Sequence, residues 1–135
     1  MGNNTVLGFD VSQLVAGGAQ SPSVTLSGNG LNSPGQLNFD TKWRLYVPNS
    51  GDTSILIYGA DAVTGASPIA TINSSLIDHP VGAGLGGSLY LITRPDGTIA
   101  GLSTSALLGG TVKIKVTVGP IVTDPSQITV FNFHF

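Results

Sequence analysis

His79 and His134 are the only histidines in the chain, and His79 directly follows an acid, Asp78. An Asp–His pair beside a serine would be the heart of a hydrolase triad. Adjacent residues on an extended chain point to opposite sides, however, and no Gly-x-Ser-x-Gly turn holds a serine ready to attack. No catalytic residue is therefore named, and the chain is not expected to be an enzyme. Metal chemistry has as little to work with. There is no Cys, the two His lie far apart, and the Asp residues lack the Asp-x-Asn-x-Asp spacing of a calcium loop. A calcium site would have to be assembled from Asp52, Asp61 or Asp96 at loop tips, where an Asp that simply opens a turn needs no ion. No metal and no cofactor is expected.

Gly82-Ala83-Gly84-Leu85-Gly86-Gly87 matches the Gly-x-Gly-x-x-Gly pattern of dinucleotide loops. That chemistry needs a strand before the glycines and a helix after them, whose N-terminus receives the phosphate. Here Pro80 precedes and a Leu-Tyr-Leu-Ile strand follows, so the segment reads as a flexible loop or a close backbone contact. Trp43, Tyr46, Tyr58 and Tyr90 lie on candidate strands and could stack on sugar rings, although a core uses such rings equally well. Trp43, Leu45 and Val47 alternate with Lys42, Arg44 and Tyr46, which puts the single Trp on a buried face and makes Tyr46 the ring expected to be exposed.

The elements that would position these residues are strands. Among 135 residues there are seven Asp and no Glu, while Gly, Ser, Thr, Asn, Val and Ile are abundant. Helices draw on Glu, Lys, Arg, Met and Ala, whereas β-branched residues, Gly, Asn and Asp favour strands and turns. Turn signals recur about every 8 to 12 residues from Pro22 onward, the spacing of short antiparallel strands. Candidate strands are 23–27, 36–39, 42–47, 54–59, 68–73, 87–93, 98–103, 111–118 and 127–135. The fold class is all-β, an antiparallel two-sheet β-sandwich, jelly-roll-like, of about 8 or 9 short strands. Less than about a tenth of the chain is expected in helix.

Particular segments carry more detail. Ser54 to Tyr58 is apolar on both faces, as in a strand covered on each side. Thr111 to Val118 alternates without fault, with Lys113 and Lys115 outward and Val112, Ile114, Val116 and Val118 inward. Arg94-Pro95-Asp96-Gly97 between two apolar runs predicts a hairpin, because Pro presets φ and Gly accepts φ > 0. Residues 127–135 alternate to the end of the sequence with Phe131, Phe133 and Phe135 on one face. Residues 1–21 have no clean period and are set off by Gly17-Gly18 and Pro22, which reads as an extended N-terminal arm ahead of a β-domain over 22–135. The arm is expected to matter for attachment more than for the fold. Its apolar Phe9, Leu14 and Val15, with Phe133 and Phe135 of the last strand, are the candidate partner-binding residues.

Charge points to a partner. Five Lys and Arg against seven Asp give a net charge of −2, which opposes a phosphate-tracking surface, so nucleic acid is not an expected partner. A 13.7 kDa monomer exposes roughly 6,600 Å² by area scaling, so its charges are spread at about one per 550 Å². Ordinary composition supplies nearly three times as many. Mean hydropathy is +0.31, and part of the surface is expected to be covered by copies of the chain or by another protein. Met1 is the only Met, consistent with a complete gene product. No signal peptide and no run of 18 apolar residues is found, so no membrane association is expected.

In its length, its lack of Cys, its sparse charge, its Gly/Ser/Thr/Asn-rich β-domain, its irregular N-terminal arm and its aromatic C-terminus, the chain resembles bacteriophage virion structural proteins of the head decoration or cement type. The resemblance is compositional, spans the whole chain and transfers no functional residue. It implies a capsid decoration protein that binds the outer surface of a phage head as a homo-oligomer, most simply a homotrimer, and stabilises it. The implied partners are the chain itself and the major capsid protein or another virion protein. The implied location is the virion surface, after synthesis in the host cytoplasm. The alternative is a receptor- or carbohydrate-binding β-sandwich module such as a phage tail-fibre tip, with specificity in loops 48–53, 60–67 and 79–87.

Overall fold

A computed structural model of the chain describes residues 4–120. Among them run β1 (Thr5–Gly8), α1 (Val11–Ala16), β2 (Val24–Ser27), β3 (Asn38–Phe39), β4 (Leu45–Asn49), β5 (Ser54–Tyr58) and β6 (Ala70–Asn73). They are followed by β7 (Ala83–Gly86), β8 (Leu89–Thr93), β9 (Ile99–Ser103), α2 (Thr104–Leu108) and β10 (Ile114–Val118). The protein is mostly β, and helix takes 9%, within the tenth that the composition allows. All strand pairings are antiparallel. One four-stranded sheet has the order β3-β4-β5-β6, a second has β10-β9-β8-β7, and β1-β2 forms a separate hairpin. Each four-stranded sheet is thus a meander in which sequence neighbours pair.

The β3–β6 sheet is buried on both sides. Ile55 and Ile57 of β5 join Tyr46 and Ile72 in one core cluster, together with Ala83, Tyr90, Ile92, Ala100 and Leu102 of the second sheet. The alternate residues Leu56 and Tyr58 join Leu45 and Val47 in another cluster, closed by Val6, Leu26 and Leu31. Strand periodicity sends successive side chains to opposite faces, so a strand covered on both must be apolar throughout. All five residues of β5 are buried, as the sequence of 54–58 predicts.

The eight candidate strands that fall within the described residues each overlap a strand, several of them only in part, and the Arg94–Gly97 turn is present, with Gly97 at φ 83° and its N–H donating to the Arg94 carbonyl at 3.0 Å. The candidate strand 127–135 lies outside the described residues. Four elements depart from the sequence reading. Thr5–Gly8, read as part of an irregular arm, is strand β1, paired with β2 from Thr5 opposite Ser27 to Gly8 opposite Val24. Val6 anchors it by entering the second core cluster. Within the glycine-rich 82–87, Ala83–Gly86 is strand β7 and not a flexible loop, since small residues suit an edge strand whose Ala83 is fully buried. Helices α1 and α2 span fewer than two turns each, too short to register as a helical period.

Two faces are also reassigned. Val116 and Val118, expected inward, are 40% and 46% exposed because β10 is, among the described residues, the outermost strand of its sheet and its register shifts between Ile114 and Val116. Trp43 and Tyr46 exchange roles: Trp43 is 72% exposed and Tyr46 is fully buried. The strand begins at Leu45 and not at Lys42, so Trp43 belongs to the preceding turn, while the double coverage of the sheet buries Tyr46 as well as Leu45 and Val47.

The loop before β3 fastens the two large sheets to each other. The Gly35 N–H donates to the Pro48 carbonyl and the Gln36 N–H to the Val81 carbonyl, both at 2.8 Å. A Cβ on Gly35 would collide with the carbonyl oxygen of Val81, and two backbones cannot part there without losing these bonds. Gly35→Ala is expected to cost about 1–3 kcal/mol. Urea unfolding checks it: the midpoint should fall with an unchanged slope, and an unchanged midpoint would show that the crossing is loose.

Candidate functional site

The N-terminal segment presents a helix turned inside out. Val11, Leu14 and Val15 stand at i, i+3 and i+4, the spacing of a face that amphipathic helices bury. In α1 they are 75%, 67% and 82% exposed, and no residue of the helix is buried. The polar side is the one tied down. Gln13 accepts from the Asp10 N–H through Oε1 at 2.8 Å and donates through Nε2 to the Ser21 carbonyl at 2.7 Å. The Ser23 hydroxyl lies 2.7 Å from both Asp10 Oδ2 and Gln13 Oε1. These contacts hold the polar face of α1 against the chain entering β2 and leave the apolar face outward.

Beside the hairpin lies an apolar groove of about 360 Å³. Its floor is Val6, Leu26 and Leu45, which belong to the second core cluster, and its walls include Phe9, Phe39 and Trp43. No lining residue carries a charge. Phe39 and Trp43 meet in a tilted aromatic pair with centroids 6.2 Å apart. Leu7, Phe9, Leu37 and Phe39 are partly exposed there too, so large apolar side chains accumulate on one side of the molecule.

Trp43 is aimed by the Asp40 carboxylate. Oδ1 accepts the Lys42 and Arg44 N–H groups at 2.9 and 3.0 Å, and Oδ2 accepts Arg44 Nε at 2.6 Å and the Tyr46 hydroxyl at 3.4 Å. The Trp43 N–H donates to the Asp40 carbonyl at 2.9 Å, and Trp43 sits at φ 60°, in the left-handed region that non-glycine residues seldom occupy. An Asp that satisfies so many donors can hold such a turn. Burial works against the charge of Asp40, but the Arg44 and Lys42 hydrogen bonds outweigh it and hold the carboxyl below its ordinary value. Tyr46 is pushed up by burial and then by the neighbouring Asp40 charge.

On the other side of this turn is a cleft of about 400 Å³ between Asp40–Arg44 and the start of α2, lined by Phe39, Asp40, Arg44, Tyr46, Leu85 and Thr104 among others. Arg44 is clamped through Nε and its backbone N–H. Its terminal nitrogens make no hydrogen bond among the described residues, which leaves a positioned fork of donors beside an aromatic ring.

Of the sequence-predicted partner residues, Phe9 lines the groove, Leu14 and Val15 share the outer face of α1, and Phe133 and Phe135 lie outside the described residues. Leu37, Phe39 and Trp43 were not legible as a patch. The signal for Trp43 is Asp40 two and four residues ahead of the N–H groups it receives, the mark of an Asp-stabilised turn, which the strand-like alternation of 42–47 obscures. Asp78 and His79 do touch, Nδ1 to Oδ1 at 3.1 Å, because both have φ 50° and are not extended as the sequence reading assumes. Both are largely exposed, and the ring makes no other hydrogen bond among the described residues. Asp52 and Asp96 accept from the N–H groups of Ser54 and Thr98, as turn-opening Asp do. No group of three or more potential metal ligands occurs among the described residues. The chain was compared with protein-family models, curated proteins and solved structures, and none matches.

The Asp40 turn gives a pH test. A carboxyl whose folded pKa is depressed adds stability above its unfolded value and loses it as pH falls through the folded value, since the unfolded chain then binds more protons. The wild type should therefore lose stability on acidification below the ordinary Asp value of 3.8. Asp40→Asn should be less stable near neutrality and show a shallower acid loss, read from urea melts at about pH 6 and about pH 3. Parallel pH profiles would mean that the Arg44 contact contributes nothing to stability.

Proposed function

We propose that this chain is a non-enzymatic virion structural protein, a capsid decoration or cement protein that binds the outer surface of a phage head as an oligomer. The observation that carries the reading is the inverted helix α1, whose apolar face is fixed outward by hydrogen bonds on its polar side. An exposed apolar face beside an uncharged groove calls for a protein partner and suits neither nucleic acid nor a small polar substrate. Burying Val11, Leu14 and Val15 is worth about 5–9 kcal/mol gross. Association itself costs an estimated 4–15 kcal/mol. One such contact binds weakly, and a set of them presented by an oligomer on a repeating lattice binds firmly. No helix among the described residues is long and apolar enough to cross a membrane.

The β-domain of this reading is a two-sheet sandwich. Support comes from the cluster that draws Tyr46, Ile55 and Ile57 from one meander and Tyr90, Ile92 and Leu102 from the other. The sequential strand orders favour stacked meanders over the crossovers of a jelly roll.

The test is location. An antibody raised against the chain should label the heads of purified particles by electron microscopy, and the protein should band with them in a density gradient. Recovery only as a soluble monomer apart from particles would overturn the reading.

The cleft beside Arg44 favours a second reading, a carbohydrate- or receptor-binding module. Phe39 offers a ring face, and Arg44 and Thr104 offer hydrogen bonds to hydroxyls. Among loops 48–53, 60–67 and 79–87, only the last reaches this cleft, through Leu85 and Gly87. Glycan-array binding that disappears in Arg44→Ala and Phe39→Ala, with the far-UV spectrum unchanged, is the expected result if this reading holds. The absence of any glycan signal removes it.

A further inference from the structure

Among the described residues the groove and the helix are two uncovered, uncharged apolar surfaces, and they do not cover each other within one chain. Phe9 is part of the groove wall, and only Asp10 separates it from the first residue of α1. Asp10 and Gln13 are tied to Ser21 and Ser23, so α1 cannot fold back over the groove without breaking that set of bonds. The high exposure of Val11, Leu14 and Val15 shows that they do not enter it. We propose that the apolar face of α1 docks in the groove walled by Phe9, Phe39 and Trp43 of a second copy. This deepens the reading of the chain as an oligomer that works through its N-terminal segment, and it rests on that reading.

The chemistry selects this occupant. Neither surface carries a charge that would have to be desolvated: α1 runs Val-Ser-Gln-Leu-Val-Ala, and the groove is lined by aliphatic, aromatic, Ala and Gly residues. Both are held in place by hydrogen bonds before they meet, the helix through its polar contacts and the Trp43 wall through the Asp40 turn, which lowers the ordering cost of docking. Because the helix and the groove are different patches, the contact is either made twice across a two-fold axis as a reciprocal pair, or is heterologous and passes from copy to copy, closing as a ring, of which a trimer is one, or running on as an open filament.

Complementation tests it, using two full-length variants whose substitutions lie at exposed positions. Leu14→Asp spoils the helix face and keeps the groove. Trp43→Asn spoils the groove and keeps the helix face, and Asn tolerates the left-handed backbone at that position. The wild type is expected above 13.7 kDa by light scattering at micromolar concentration. Each variant alone should associate at least about a hundredfold more weakly, with the far-UV spectrum of the wild type. Mixed in equal amounts, the two should recover a heteromer, because an intact helix face from one meets an intact groove from the other. A wild type that stays monomeric overturns the proposal. So do variants that associate as the wild type does, or a mixture that remains as weak as its components. A second arm uses the absence of Cys. Val15→Cys and Ala60→Cys proteins, joined by a short bismaleimide, should yield the mixed dimer in preference to either homodimer, and a prevailing Val15→Cys homodimer would show helix-to-helix contact instead. If complementation succeeds while the chain is absent from particles, the self-docking stands and the decoration reading fails.

Discussion

Coverage of β5 on both faces is the constraint from which the rest of the architecture follows. A central strand of Ser-Ile-Leu-Ile-Tyr can be stable only if both sides of its sheet are dry, so the sheet must have a layer on each. The second meander supplies one layer and the β1-β2 hairpin, with Leu31, supplies the other. The hairpin contributes Val6 and Leu26 to that cluster, with Val24 packed against it, and it is too narrow to cover the whole face. What it leaves open is the apolar groove, whose floor of Val6, Leu26 and Leu45 is continuous with the core. The groove is therefore a consequence of placing a two-stranded cover over a four-stranded sheet.

Polar groups in this protein act mainly as fasteners. Asn49 is wholly buried, donates to the Gly30 carbonyl and Ser54 Oγ at 2.7 and 2.8 Å, and accepts the Asn32 N–H at 3.1 Å. It pins the 28–34 loop to the end of β4, and losing its side chain would leave buried partners unsatisfied. Asp40 does the same for the β3-β4 turn and Gln13 for α1. Among the few charges, Asp40, Asp52 and Asp96 accept backbone N–H groups and fix turns, and much of the exterior between such points is neutral or apolar. In a chain of this composition, sparse charge on the outside and apolar display are the same fact.

Alternation made the strands legible, because period 2 is local and survives in short segments. Lys113 and Lys115 are exposed as expected, and β5 is buried as expected. Edges and covers were less legible, since they depend on which strand lies beside which. Val116 has an inward pattern and an exposed position because, among the described residues, β10 has a neighbour on one side only. Thr5–Gly8 is too short to show a period, and its identity as a strand depends on β2, reached only after the intervening helix and loop. Trp43 was misplaced because its alternation with Leu45 and Val47 is real in sequence and interrupted in space by the hydrogen bonds of Asp40. Leu14 and Val15 do have a period, the i, i+3, i+4 spacing with Val11, which the sequence reading of 1–21 as aperiodic passes over because a helix of six residues shows it only once.

The inverted helix shows why burial cannot be inferred from amphipathicity alone. Helical spacing establishes that Val11, Leu14 and Val15 share a face, and it does not say which face turns inward. That is decided by the partner available on the chain's own side. Here it is the Ser21 carbonyl and the Ser23 hydroxyl, so Gln13 and Asp10 turn inward to meet them. Each hydrogen bond contributes about 1 kcal/mol net, while exposing each of the three aliphatic side chains forgoes about 1.5–3 kcal/mol. For a monomer in water the two sides of that comparison do not balance. In the assembly proposed above, a second copy covers the face of Val11, Leu14 and Val15, and burial there returns what their exposure forgoes.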